Sequence, residues 1–153
     1  MKTKTIITEL TKDDLVNLLC TATYGSNWLA ISAPSRAGVV VEESDCREDI
    51  WAKALLAGNL IECTDYYAEG DAYGTLPHKT DEEGNVTYFV NLQDIIDGLQ
   101  KCADGTFLDA DNDNADRYLL TCLNTFKEDD GGIDQPQAEA LMQIVLFNEL
   151  IYG

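Results

Sequence analysis

Five segments of this chain open on the same start grammar, a short polar side chain able to cap a helix followed by apolar residues at helical spacing. Thr11 with Asp14 opens the first, Leu10 and Leu15 are placed as a hydrophobic staple, and Leu15, Leu18, Leu19 and Ala22 form its apolar face before Gly25. Asp45 with Glu48 opens the second, whose face is Ile50, Trp51, Ala54 and Leu55; Gly58 stands where a left-handed C-terminal residue is wanted. Asn91 with Asp94 opens the third, stapled by Val90 and Ile95, with Leu92, Ile95, Ile96, Leu99 and Cys102 on one side and Gly105 at the end. A fourth runs from about Asp113 with the stripe Tyr118, Leu119, Cys122, Leu123 and Phe126, and breaks at Asp129, Asp130, Gly131 and Gly132. Asp134 with Gln137 opens the last, with Pro136 in the first turn, where a missing N–H costs little. Its core side is Ala138, Leu141, Met142, Val145 and Leu146, broadened by Ile144 and Phe147.

The strand signals are shorter. Thr5–Thr8, Trp28–Ile31, Gly38–Val41, Leu60–Tyr66 and Val86–Val90 are β-branched or aromatic runs bounded by Gly, Pro or Asn. Residues 68–85 are polar and turn-rich, with Gly70, Gly74, Pro77 and Gly84, and read as an exposed loop joining two strands. A loop of that length inside a compact domain is either mobile or functional. These elements predict one α+β domain over residues 1–153, about five helices packed on a small, mainly antiparallel sheet. A helical bundle with a single hairpin is the alternative.

The chain has 153 residues, enough to bury most of its apolar surface in one core without staples. Its five cysteines, Cys20, Cys46, Cys63, Cys102 and Cys122, are widely spaced and form no C-x-x-C, which argues against a disulfide framework and a zinc site. Four of them sit among apolar neighbours, where cysteine behaves as a small hydrophobe. Met1 to Leu10 has no apolar region of the signal-peptide kind, and no apolar run approaches the roughly 20 residues that cross a bilayer. The expected compartment is the cytoplasm.

Charge is the unusual bulk property. Residues 1–60 hold 8 acids and 6 bases, whereas residues 61–153 hold 20 acids and 4 bases, so −16 of the net −18 falls in the second part. A field of that sign repels nucleic acid and anionic membranes and attracts basic surfaces. Solubility alone also accounts for such a charge.

Few patterns carry chemistry. Asp109-Ala110-Asp111-Asn112-Asp113-Asn114 begins like a calcium loop, but Asp116 stands at the eighth position and Leu120 at the twelfth, where a bidentate Glu should close the site. An acidic helix N-terminus is the simpler reading, and no metal is expected. The single histidine, His78, lies in the polar loop, away from the cysteines on helix faces, so a thiolate–imidazole nucleophile is not expected. No glycine-rich phosphate loop occurs, and no cofactor or catalytic residue is assigned. Asp81-Glu82-Glu83 beside Gly84 reads as a solvated turn, while Tyr66-Tyr67 and Tyr73 beside Glu69 and Asp71 read either as a contact surface for a basic partner or as an ordinary strand end. The candidate partner-binding residues are therefore Glu69, Asp71, Tyr73, Asp81, Glu82, Glu83, Asp109, Asp111, Asp113 and Asp116.

Two stretches, Leu10-Thr11-Lys12-Asp13-Asp14-Leu15 and the C-terminal run from Ala138 to Gly153, resemble a family of small acidic, uncharacterised proteins of bacterial and phage genomes. The resemblance implies a mobile-element setting and carries no activity with it. Together with the charge, it leads to the expectation of a non-enzymatic phage protein that inhibits a host defence factor, such as a nucleic-acid-binding nuclease, by occupying its basic groove. The alternatives are a structural or housekeeping phage protein whose acidity serves solubility, and a small carboxylate hydrolase marked by a buried carboxyl pair in a pocket.

Overall fold

Helix starts are where the predicted grammar becomes geometry. In the computed structural model, which describes residues 7–108, 113–128 and 132–152, the order is α1 (Lys12–Thr23), β1 (Leu29–Ser32), α2 (Arg47–Leu56), β2 (Ile61–Asp65), β3 (His78–Thr80), β4 (Val86–Val90), α3 (Leu92–Asp104), α4 (Asp113–Glu128) and α5 (Gln135–Phe147). At α1 the Asp14 N–H donates to Thr11 Oγ1 at 3.1 Å, and the Thr11 N–H donates back to Asp14 Oδ2 at 2.9 Å. Asn91 with Asp94 and Asp134 with Gln137 repeat this reciprocal box at α3 and α5. Each box satisfies two backbone donors that a helix start would otherwise leave unpaired.

The α2 start falls one residue later than predicted. Cys46 is the cap, and the Asp49 carboxylate accepts the Cys46 N–H at 3.0 Å and its S–H at 3.1 Å. Asp45 is used elsewhere: its Oδ2 accepts the Glu42 N–H at 2.8 Å and pairs with Lys53 Nζ at 2.6 Å. The Asp49 carboxyl, held by these donors and by Lys12 at 3.3 Å, lies well below its ordinary value, at about 2. A depressed carboxylate stabilises the fold above its unfolded pKa and loses that contribution as pH falls through its folded one. The stability difference between wild type and Asp49→Asn should thus be full at pH 6 and shrink between about pH 4 and pH 2. Urea titrations across that range check it; a difference that stays constant contradicts the cap.

The sheet is antiparallel throughout, in the order β1-β2-β4-β3. Register pairs Ile61 with Val90, Cys63 with Tyr88 and Asp65 with Val86, and all six are buried. Alternation sends Glu62, Thr64, Thr87 and Phe89 to the opposite face, where Thr64 and Thr87 share a hydroxyl hydrogen bond of 2.9 Å. Helix α5 is the axis of the helical layer, packed by α1, α3 and α4. Residues 140–147 are all buried, so its apolar stripe becomes a whole circumference, as a central helix requires. At Gly98 the α3 backbone lies so close to α5 that a Cβ would stand 2.6 Å from Val145 Cγ2 and 2.7 Å from Val145 Cα.

The α+β architecture is the predicted one, with differences in the strands. Gly38–Val41 is not a strand. The Val39 N–H closes a turn on Arg36 O, Lys53 Nζ takes Val40 O, and Val40 and Val41 are exposed, so β-branching there has no sheet to join. Of Thr5–Thr8, residues 5 and 6 lie outside the described residues; Ile7 is not in a strand but donates its N–H to Gln100 Oε1 on α3 at 2.7 Å. Residues 68–85 are not one loop, because His78–Thr80 forms β3 and pairs with Val86–Tyr88. Three exposed residues on an edge, without apolar alternation, give no strand signal.

Candidate functional site

The candidate acidic residues fall into two groups. Asp109 and Asp111 lie outside the described residues, as does the side chain of Asp113, whose backbone opens α4. Asp116 is half-buried on α4, and its carboxylate covers Gly105, the left-handed end of α3. Most of the calcium-loop pattern is therefore outside the description, and Leu120, at its closing position, is an exposed helical residue.

The second group is brought together by the chain around β3. The Gly70 N–H donates to Gly84 O at 2.7 Å, which places Glu69 and Asp71 against the turn carrying Asp81, Glu82 and Glu83. Asp81 builds that turn: its Oδ1 accepts the Glu83 and Asn85 N–H groups at 2.9 Å each, and its Oδ2 accepts Asn85 Nδ2 at 3.1 Å. These donors, Asn85 first, hold the Asp81 carboxyl below its usual range. Glu69, Asp71, Glu82 and Glu83 are exposed. From this tip the segment runs back over α5. Gly74, at φ 72°, lies where a Cβ would be 2.7 Å from Leu146 O, so only glycine seats it there. Gly74, Thr75 and Leu76 then face Asp94 and Asp97 of α3 across a shallow groove of about 160 Å³. Strand β4, about 14 Å from Val86 to Val90, separates the two ends of this acidic band.

Between residues 66 and 101 there are seven acids and two lysines. Lys79 is 3.5 Å from Glu62 on the neighbouring part of the sheet, and Lys101 lines the groove with Asp94 and Asp97. Two acids of the band, Asp94 and Asp97, were not among the sequence candidates, because α3 reads from its apolar periodicity and only the fold sets its polar side opposite the loop.

Tyr73 belongs to the core as much as to the surface. It is half-buried, its N–H donates to Tyr88 Oη at 2.8 Å, and its ring meets Phe147 edge-on at 5.7 Å. Tyr66 and Tyr67 are the exposed aromatics of this region. The Tyr67 N–H donates to Asp65 Oδ1 at 2.9 Å, and Tyr152 Oη donates to Asp65 Oδ2 at 2.8 Å. Burial raises the Asp65 carboxyl against these two hydrogen bonds, and burial next to Asp65 drives the Tyr152 phenol far up. Among the described residues Asp65 is the one fully buried carboxylate. Its partners are a phenol and a backbone amide.

His78 stands on the edge strand, with Nδ1 3.0 Å from Leu76 O and its ring 5.9 Å from that of Tyr88. The register interposes Tyr88 between His78 and Cys63, about two strand spacings, or roughly 10 Å. Burial also pushes the Cys63 thiol up to about 12. That pair cannot form the ion pair a cysteine nucleophile requires. Among the described residues no group of three or more His, Cys, Asp or Glu side chains could hold a metal ion, and no helix is long and apolar enough to cross a membrane. Comparison with protein-family models, with curated proteins and with solved structures gives no match.

Proposed function

We propose that this chain is a non-enzymatic binding protein of phage or mobile-element origin that occupies the basic, nucleic-acid-binding groove of a host defence nuclease. The observation that carries the reading is the acidic band. Glu69, Asp71, Glu82 and Glu83 are exposed on a tip whose backbone is fixed by hydrogen bonds, and Asp94 and Asp97, with Lys101 beside them, line the groove next to α3. A backbone already ordered at the tip has little entropy left to lose on meeting a cationic groove, and the long-range field of its carboxylates speeds the encounter. The remaining acids Asp109, Asp111, Asp113 and Asp116 would add to the field without being needed for the geometry.

Asp81 and Asp94 also hold a turn and a helix start, so the test leaves them in place. In the variant Glu69→Gln/Asp71→Asn/Glu82→Gln/Glu83→Gln/Asp97→Asn the fold is expected to persist, because each of these side chains is exposed. Wild-type protein immobilised in a bacterial lysate at about 50 mM salt should retain a nuclease that added nucleic acid displaces. Once purified, that nuclease should lose substrate binding in the presence of the wild-type chain, and the five-fold variant should inhibit about tenfold or more less well. Equal inhibition by the variant, or capture indifferent to nucleic acid, leaves acidity with a solubility role only.

A further inference from the structure

On another part of the molecule, between α4, the start of α5 and the C-terminal segment, lies a groove of about 370 Å³. Its walls include Tyr118, Ala140, Leu150, Ile151 and Tyr152, and its polar side chains are Gln135, Gln143 and the acidic Glu139. The volume falls within the range of small-molecule sites, which pair apolar walls with a few converging polar groups. Among the described residues no Lys, Arg or His lines it.

The carboxylate is held on two sides by neutral donors. Trp28 Nε1–H donates to Glu139 Oε1 at 2.6 Å, and Gln135 Nε2 donates to Oε2 while also reaching Ala22 O at 3.2 Å. Neither donor neutralises the charge, and among the described residues Glu139 has no ion pair. A carboxylate offers about four lone-pair positions, so two remain, one on each oxygen. Gln143, which also lines the groove, is taken: its Oε1 accepts the Ile151 and Tyr152 N–H groups at 2.8 Å and its Nε2 donates to Tyr152 O at 3.0 Å. Those three bonds fix the C-terminal wall and leave Glu139 as the anionic group a ligand would meet.

We infer that this groove is a binding site for a planar organic cation, a guanidinium or amidinium carried on an apolar or aromatic body. A planar fork of two N–H donors can reach both carboxylate oxygens at once, as a compact ammonium does not. Tyr118, 40% exposed on α4, lines the groove and supplies an aromatic side chain against which such a cation can pack. The inference is independent of the acidic band and of the nuclease reading.

Benzamidine is the probe, with benzamide as its neutral analogue and benzylamine as its ammonium analogue. The readout is the Trp28 indole N–H resonance, since that proton sits on Glu139; Trp51→Phe identifies it by elimination of the second indole. Benzamidine should shift this resonance saturably with a millimolar or tighter Kd, and benzamide and benzylamine should each bind about tenfold or more weaker. Glu139→Gln keeps an acceptor for the indole and should weaken benzamidine by about tenfold or more. The comparison of the three probes on wild-type protein stands even where the variant does not fold. Equal binding of benzamidine and either analogue, or no saturable shift at about 10 mM, overturns the site.

Discussion

Gly98→Val is expected to lower the stability of this protein by about 3 kcal/mol or more, a fall in melting temperature of roughly 6–12 °C for a chain of this size. The reason is the α3–α5 contact. A Cβ at residue 98 would lie 2.7 Å from the Cα of Val145, a backbone atom that no rotamer change can move aside. The two helices must therefore separate, and α5 also carries the contacts to α1 and α4. Gly98→Ala isolates the competing effect. Alanine gains about 1 kcal/mol of helix propensity over glycine, while overpacking costs about 1–3 kcal/mol, so a net loss of about 1 kcal/mol is expected. Urea unfolding of both variants checks the order; an alanine variant more stable than wild type would show that the helices part easily.

The second large effect is expected at Phe147. Its ring meets those of Trp28 and Tyr73 at 5.7 Å, Tyr88 at 5.6 Å and Tyr152 at 6.0 Å, so it joins the residue before β1, the 73–76 segment, β4 and the C-terminal segment to α5. Phe147→Ala should cost about 3–5 kcal/mol, through lost transfer energy and the cavity left behind. Phe147→Leu refills most of that volume and forfeits the ring-edge contacts, and should cost about 1–2 kcal/mol. Calorimetry of the pair separates volume from aromatic geometry: equal losses would mean that the ring contacts dominate. Because Gly74 rests on the backbone of Leu146 and Phe147, the alanine variant should also loosen the 73–76 segment and increase proteolysis there.

These two sites show what in the fold was legible from residue order. The helices were, because capping is local: Thr11 and Asp14, Asn91 and Asp94, and Asp134 and Gln137 lie three residues apart and meet whatever the rest of the chain does. The α2 start slipped by one residue because two candidate pairs overlap there, Asp45 with Glu48 and Cys46 with Asp49, and Lys53 claims Asp45. The close approach at Gly98 had no local sign, since a glycine within an apolar helical face looks the same whether or not another helix presses on it. Strand β3 was hidden for a related reason. His78, Lys79 and Thr80 are all exposed, so their pairing with β4 leaves no apolar pattern to read.

The candidate surface was legible in part. Glu69, Asp71, Asp81, Glu82 and Glu83 stood out by composition, and the hydrogen bond between Gly70 and Gly84 is the long-range fact that joins them. Asp94 was visible as a cap and Asp97 as one exposed acid among many; their place across from residues 74–76 depends on how α3 docks. The groove around Glu139 had no signal at all, because its walls come from α4, α5 and the C-terminal segment, and Trp28 reaches it from the other end of the chain.

The proposed nuclease inhibition depends on negative charge meeting positive charge. The direct measurement is the affinity of the captured nuclease for wild type and for the five-fold amide variant, at salt from about 50 to 200 mM. The wild-type affinity should fall steeply with log salt, and the variant should bind more weakly with a visibly shallower slope. Parallel slopes, or a wild-type affinity that salt does not change, would contradict it.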